Sequence, residues 1–357
     1  MARKILFILL ILNIFSGFVS AQSKDGYCAS ITTWYHDKAA AVSITFDDAC
    51  YTQYQYALPV LKKYGIKATF SLVGEWTKEK PTYSAEPGFF EIKKMGWEEI
   101  RKLSDAGNEI AAHGFKHRKY GKYKPSKELA AEMRKIKTLI EDKLHIPVYT
   151  LHYPYSFTSD SIVKAAAMAG FLFGRTHRET FNDPDTINPY LLASRAILND
   201  STPSLNDIKD WLFNIKGRWL ILMYHHLFPE GSLEMNILKN HKVKNTYSLL
   251  PATFEKQIKL LSESGYWIVP LSVAGKYILE RQNTNIKVRK FFNTLKIKTK
   301  TTLDPRVFDQ PLTLKVVVPW KKVKVEGSLK DGIYTTSGNE LLIDFMPGAT
   351  VKISKKK

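Results

Sequence analysis

The chain has 357 residues, with 53 lysines and arginines against 34 aspartates and glutamates, a formal charge of +19. A hydrophobic content of 44% excludes a disordered chain, 19 glycines and 16 prolines exclude a collagen-like one, and a mean hydropathy of −0.23 excludes a polytopic membrane protein. Two cysteines are too few for a disulfide-built scaffold or a four-thiolate zinc module, and the length suits about two domains.

The chain opens with Arg3 and Lys4 before an apolar run from Ile5 to Leu12, then Val19-Ser20-Ala21 with small residues at the exit. That is the pattern of a secretory signal peptide, expected to span residues 1–21; the apolar run is short for a membrane span of roughly 20 residues. Removal of this segment leaves +17. Export to the periplasm or medium disfavours nucleotide-driven chemistry, and no glycine-rich phosphate loop is visible. It also permits Cys28 and Cys50 to pair, without requiring it.

From Ala39 to about Leu279 short apolar runs alternate with helical stretches. Strands are expected at Ala41–Phe46, Ala68–Val73, Glu109–Ala112, Val148–Leu151, Leu172–Gly174, Trp219–Tyr224 and Trp267–Val269. Helices end at Gly65 and Gly107, and Ser126 can cap a long helix whose apolar residues Leu129, Met133, Ile136 and Ile140 recur at helical spacing. Such alternation predicts an α/β domain with a parallel sheet, open or closed into a barrel, over residues 22–282. After a polar linker near Gln282–Asn285, residues 286–357 alternate strictly, as in Leu295-Lys296-Ile297-Lys298, and turn signals such as Asp331-Gly332 punctuate them. A small antiparallel, sandwich-like β domain is expected there, with 16 basic against 6 acidic residues.

Two segments carry chemistry. Asp47-Asp48 ends one strand, and His113-Gly114-Phe115-Lys116-His117 follows another, the location where functional residues gather in α/β folds. Adjacent strand residues face opposite ways, so the two aspartates can share a site only where the strand breaks into its loop. Two histidines four apart lie on one face of a helical turn, a spacing suited to one metal ion. Two imidazoles and one carboxylate form the ligand set of a catalytic zinc site, which leaves the second aspartate available as a base.

The segments Ser43–Asp48, Gly65–Phe70 and Gly107–His117 together closely resemble the polysaccharide deacetylase family, the NodB-homology domain (carbohydrate esterase 4-like), over roughly residues 39–275. The resemblance implies a distorted (β/α) barrel and a divalent metal, usually zinc. Asp48, His113 and His117 would be its ligands and Asp47 the general base. The family's Arg-x-Pro-Tyr appears here as His152-Tyr153-Pro154-Tyr155: the backbone N–H of Tyr155 would help form an oxyanion hole, His152, Tyr153 and Pro154 would line the substrate site, and His152 stands where the family has the arginine that orients the base. Gly-Pro after the aspartate pair is replaced by Ala49-Cys50, and no aspartate-tryptophan motif appears around 175–200, although Arg195 lies there. His225, in Leu222-Met223-Tyr224-His225-His226, matches the family's general acid; a shift of one residue would favour His226.

The reading is a secreted, metal-dependent enzyme that removes acetyl groups, N-acetyl before O-acetyl, from a polysaccharide or cell-wall glycan. The alternative is a catalytically decayed carbohydrate-binding protein on the same fold; amide hydrolysis on purine-derived rings, as in cytosolic relatives, conflicts with the leader. The charge suits anionic glycans, cell-wall polymers or membrane surfaces as partners, and no nucleic-acid motif is present.

Overall fold

A computed structural model describes residues 20–22, 27–85, 91–120, 125–240 and 246–356. The expected signal peptide lies outside these, apart from Ser20 and Ala21 in a short strand, Ser20–Gln22. The chain divides into two compact units, Thr33–Ile278 and a second that joins Leu279 onward to the described residues up to Thr32.

The larger unit is a closed barrel of seven parallel strands: β1 (Ala41–Phe46), β2 (Thr69–Leu72), β3 (Glu109–Ala112), β4 (Thr150–His152), β5 (Phe173–His177), β6 (Leu192–Ala196) and β7 (Trp219–Tyr224), with β7 pairing back onto β1. Every residue of β1 and β7 is buried, as an apolar run enclosed on both faces should be. An eighth strand, β8 (Trp267–Ile268), pairs with Ala41 and Val42 at the start of β1, while β2 pairs with Thr45 and Phe46 at its end. The barrel's ends are therefore staggered, and the loops after β1 and β3 open into a cleft.

Helices α1 (Leu58–Lys63), α2 (Trp97–Asp105), α3 (Ser126–Leu144) and α4 (Asp160–Met168) follow β1 to β4, α5 (Leu205–Asn214) follows β6, and α6 (Leu233–Asn240) and α7 (Pro251–Glu263) follow β7. The periodic residues of α3, from Leu129 through Ile140, are all buried. Phe46 stacks on Phe70 at 4.7 Å and meets Phe254 edge-on at 5.7 Å, tying β1 to β2 and α7.

One barrel strand went unforeseen. Ser194 and Arg195 interrupt the apolar run of β6; Ser194 is nevertheless buried because its hydroxyl donates to the Thr176 carbonyl (2.7 Å). The expected linker is absent as well. Helix α8 (Leu271–Gln282) passes through Asn283 directly into a strand.

The smaller unit is all-β. One antiparallel sheet has the order β9-β10-β15-β12-β13, comprising β9 (Thr284–Phe291), β10 (Thr294–Thr301), β12 (Lys322–Glu326), β13 (Gly332–Thr335) and β15 (Thr350–Lys355). The other pairs β11 (Leu312–Val317) with β14 (Glu340–Phe345) and with the strand Cys28–Ile31. Cys28–Ile31, placed with the barrel by the expected boundary at residue 22, thus completes the C-terminal sheet. Among the described residues no helix is long and apolar enough to cross a membrane.

Candidate active site

The site forms where β1 ends. The Asp47 N–H still donates to the Tyr224 carbonyl of β7 (3.0 Å), but Asp48 and Ala49 enter the left-handed region, with φ of 72° and 52°. That break brings both carboxylates to one side, a conformation non-glycine residues seldom adopt without support. Gln53 supplies some of it: its buried amide donates to the carbonyls of Asp47 (2.5 Å) and His225 (2.9 Å), stapling the exits of β1 and β7 together.

His113 follows β3 and His117 lies four residues on. The segment between them is an irregular turn rather than the expected helical one, with Gly114 at φ 77° and His117 at φ 45°. A Cβ on Gly114 would sit 3.0 Å from Pro154 Cγ and 3.2 Å from the Tyr120 hydroxyl, so shape and backbone conformation both call for glycine. The ring of His117 packs against Trp76 (4.7 Å) and Tyr155 (4.9 Å).

Asp48 Oδ1 lies 3.4 Å from His113 Nε2 and 3.3 Å from His117 Nε2, and one ligand atom from each of the three residues falls within 4.8 Å of the others. Zinc–nitrogen and zinc–oxygen bonds of about 2.0–2.1 Å make the edge of a coordination tetrahedron about 3.3–3.4 Å, the length of both aspartate–histidine separations, and the donor types are those zinc takes. His113 Nδ1 is 2.9 Å from the His152 carbonyl, a bond it makes as donor; this leaves Nε2 as the lone-pair atom aimed at Asp48.

Asp47 is held from behind. Its Oδ1 accepts from His152 Nδ1 (2.7 Å) and from the Ser71 hydroxyl (2.9 Å), and its Oδ2 accepts from the Arg175 guanidinium, which also donates to Ser194 Oγ at 3.1 Å. Burial works to raise the Asp47 pKa, yet Arg175, His113 and His152 outweigh it and hold the carboxyl well below its usual range. Burial and the Arg175 charge push His152 down to about 3, so this imidazole is neutral at working pH and donates from Nδ1. His152 and Arg175 are direct register partners on β4 and β5. The guanidinium absent from position 152 therefore reaches Asp47 from the neighbouring strand.

Asp47, Asp48, His113, His117, Tyr153, Tyr155 and His225 line a cleft of about 280 Å³. The buried residues His152 and Pro154, expected to touch substrate, stand behind that lining. Tyr155 and Ser156 both have positive φ, of 55° and 53°, in the short turn after β4. His225 Nε2 lies 3.8 Å from Asp47 Oδ2 and 3.9 Å from Asp48 Oδ2. His226 also borders the cleft, but its Nδ1 is 3.1 Å from Cys50 Sγ and its ring stacks on Phe228. Among the described residues neither cysteine forms a disulfide. Arg195 points elsewhere, its guanidinium over Phe181 and Trp211 and 3.7 Å from Glu179. Arg175, Ser71 and Gln53 are not among the residues the sequence singles out; an arginine directly after the apolar run Phe171–Gly174 is the one available signal.

Residues 35–174 match the family model described as polysaccharide deacetylase, the family that the motifs resemble. YxkH of Bacillus subtilis (strain 168), a polysaccharide deacetylase by name, is 30% identical over 135 residues, 38% of this chain and 44% of its own. A poly-beta-1,6-N-acetyl-D-glucosamine N-deacetylase of Staphylococcus epidermidis is 26% identical over 179 residues, 48% of this chain and 58% of its own. The chain thus spans about half the length of these relatives. A solved de-N-acetylase from Aggregatibacter actinomycetemcomitans matches 50% of this chain and 77% of its own at 19% identity, with a TM-score of 0.42.

Proposed function

We propose that the protein is a metal-dependent hydrolase that removes N-acetyl groups from a glucosamine-containing polysaccharide outside the cytoplasm, after loss of residues 1–21. Poly-β-1,6-N-acetylglucosamine is the first substrate to test, because relatives carrying that activity in their names align with about half of the chain. The observation that carries the reading is the convergence of Asp48, His113 and His117 on one point beside a second aspartate anchored by Arg175.

Asp48, His113 and His117 would hold the cation, with zinc the first candidate. When bound, it would supply Lewis acidity, bringing the pKa of water from about 15.7 toward about 7. Asp47, ionised and fixed by Arg175, His152 and Ser71, accepts the proton of the attacking water. The Tyr155 N–H donates to the carbonyl oxygen as it gains charge, a contribution of about 2.7–4 kcal/mol for such a donor. His225, facing the cleft beside Asp47, passes a proton to the departing amine, a role less suited to His226 because its Nδ1 is turned to Cys50. The products are acetate and a free amine on the sugar.

The decayed-binder alternative rests on His152 standing in place of arginine and on the missing aspartate-tryptophan motif. The Arg175 contact with Asp47 supports the active reading instead. Acetate assays on β-1,6- and β-1,4-linked N-acetylglucosamine oligomers and on acetylated xylan test the proposal. Release from an N-acetylated oligomer, abolished by chelation and by Asp47→Asn, is expected; release from xylan alone would make the enzyme an esterase, and full activity in Asp47→Asn would overturn the scheme.

A further inference from the structure

The five-stranded sheet of the smaller unit has two unlike faces. One buries Ile286, Leu295, Ile297, Val323, Val325, Val351 and Ile353. The other is exposed and basic, and its charges lie in register: Lys287 is opposite Lys298, Arg289 opposite Lys296, and Lys296 opposite Lys352. Glu326 is the sole acidic residue in the five strands, and it lies 2.9 Å from Lys324.

Directly opposed side chains on a sheet have Cβ atoms about 4.5–5.5 Å apart, and like charges there are destabilising. Glu326 stands opposite Lys352, but among the described residues none of Lys287, Arg289, Lys296, Lys298 and Lys300 forms an ion pair that would offset this repulsion. Lysine on an edge strand guards against edge-to-edge aggregation, but Lys296, Lys298 and Lys352 sit on the interior strands β10 and β15, where that purpose does not apply. A face that is merely solvated would be served equally well by Thr, Ser or Glu at these positions.

The corner of the same face is aromatic. Phe291 points to the basic side, opposite Thr294, and is 55% exposed; Phe292, at the tip of the β9–β10 hairpin, is 96% exposed. Phe292 also has φ 48°, a conformation that a bulky residue adopts at a cost. Two exposed phenylalanines beside unpaired cations are costly in water and well matched to a bilayer's interface, where anionic headgroups meet the lysines and apolar rings enter the acyl boundary.

From this arrangement we infer that the exposed face of β9, β10 and β15 is a docking surface for an anionic lipid bilayer, with the Phe291–Phe292 tip inserting into it. A linear polyanion would be followed by one row of charges or held in a groove. Here the charges extend in two dimensions across three strands, as a planar partner requires. The inference is independent of the chemistry proposed for the barrel.

Co-sedimentation of the full chain with vesicles tests it. The chain should bind vesicles of phosphatidylcholine containing phosphatidylglycerol at low salt, bind pure phosphatidylcholine vesicles far less, and release as ionic strength rises. Lys296→Glu/Lys298→Glu should weaken binding by at least about thirtyfold and Phe292→Ser severalfold. Both variants should stay folded, with a circular dichroism melting midpoint no lower than wild type, and should retain the rate of acetate release from a soluble oligosaccharide. Failure to bind the anionic vesicles, or equal binding by the charge-reversed variant, would overturn the inference. So would capture by a soluble polyanion such as heparin without vesicle binding, which would make the ligand an anionic polymer.

Discussion

The barrel and the basic sheet spend charge in opposite ways. At the end of β1 the opposed charges are buried and matched: Asp47 meets Arg175 and accepts from neutral His152, while Asp48 faces the two imidazoles that would share its cation. On the smaller unit's sheet they are exposed and, Glu326 apart, of one sign, with cation aligned to cation. A buried charge left without its partner costs several kcal/mol, whereas exposed like charges at sheet spacing cost a few tenths to about one. The same residue types therefore define a rigid site in one unit and a screened, salt-sensitive surface in the other.

The comparison breaks most readily at the cation ligands. Asp48→Ala or His113→Ala should lower acetate release by at least about a thousandfold, the equivalent of roughly 4 kcal/mol of lost transition-state stabilisation, while Lys298→Thr leaves it unchanged. Next comes Arg175→Met, which strands Asp47 as a buried carboxylate. It should cost about 3–5 kcal/mol of stability by chemical denaturation and reduce kcat more than it changes KM, with Arg175→Lys intermediate.

A pH series sharpens the contrast. His152 titrates near 3 when folded and near 6.5 when unfolded, so the unfolded chain takes up a proton that the folded chain refuses. Stability should therefore fall as pH drops from about 6.5 toward 3, and His152→Gln should flatten that part of a melting-temperature profile. Asp47 adds a further loss only below its unfolded value of about 3.9, because its folded pKa is depressed. The smallest effect belongs to the sheet: Lys298→Thr should raise stability by about 0.2–1 kcal/mol at low salt, and the gain should vanish at high salt.

The aspartate pair, the two histidines and His225 were readable because each follows a strand whose apolar run ends abruptly. How Asp47 is held was not readable. Arg175 reaches it through the β4–β5 register and Ser71 through the β1–β2 pairing, relations that exist only once the barrel closes. Strand β6 was hidden by Ser194 and Arg195, polar residues whose partners lie on other strands or loops. Alternation exposed the strands of the smaller unit, yet nothing local in Cys28–Ile31 tells that it pairs with residues nearly 300 positions away.

Calorimetric titration of zinc into the chelator-treated full chain tests the central claim most directly. The account predicts one tight site per chain, abolished in Asp48→Ala and in His117→Ala and preserved in Arg195→Gln. Undiminished one-to-one binding by Asp48→Ala, or no binding by the wild-type chain, would contradict it.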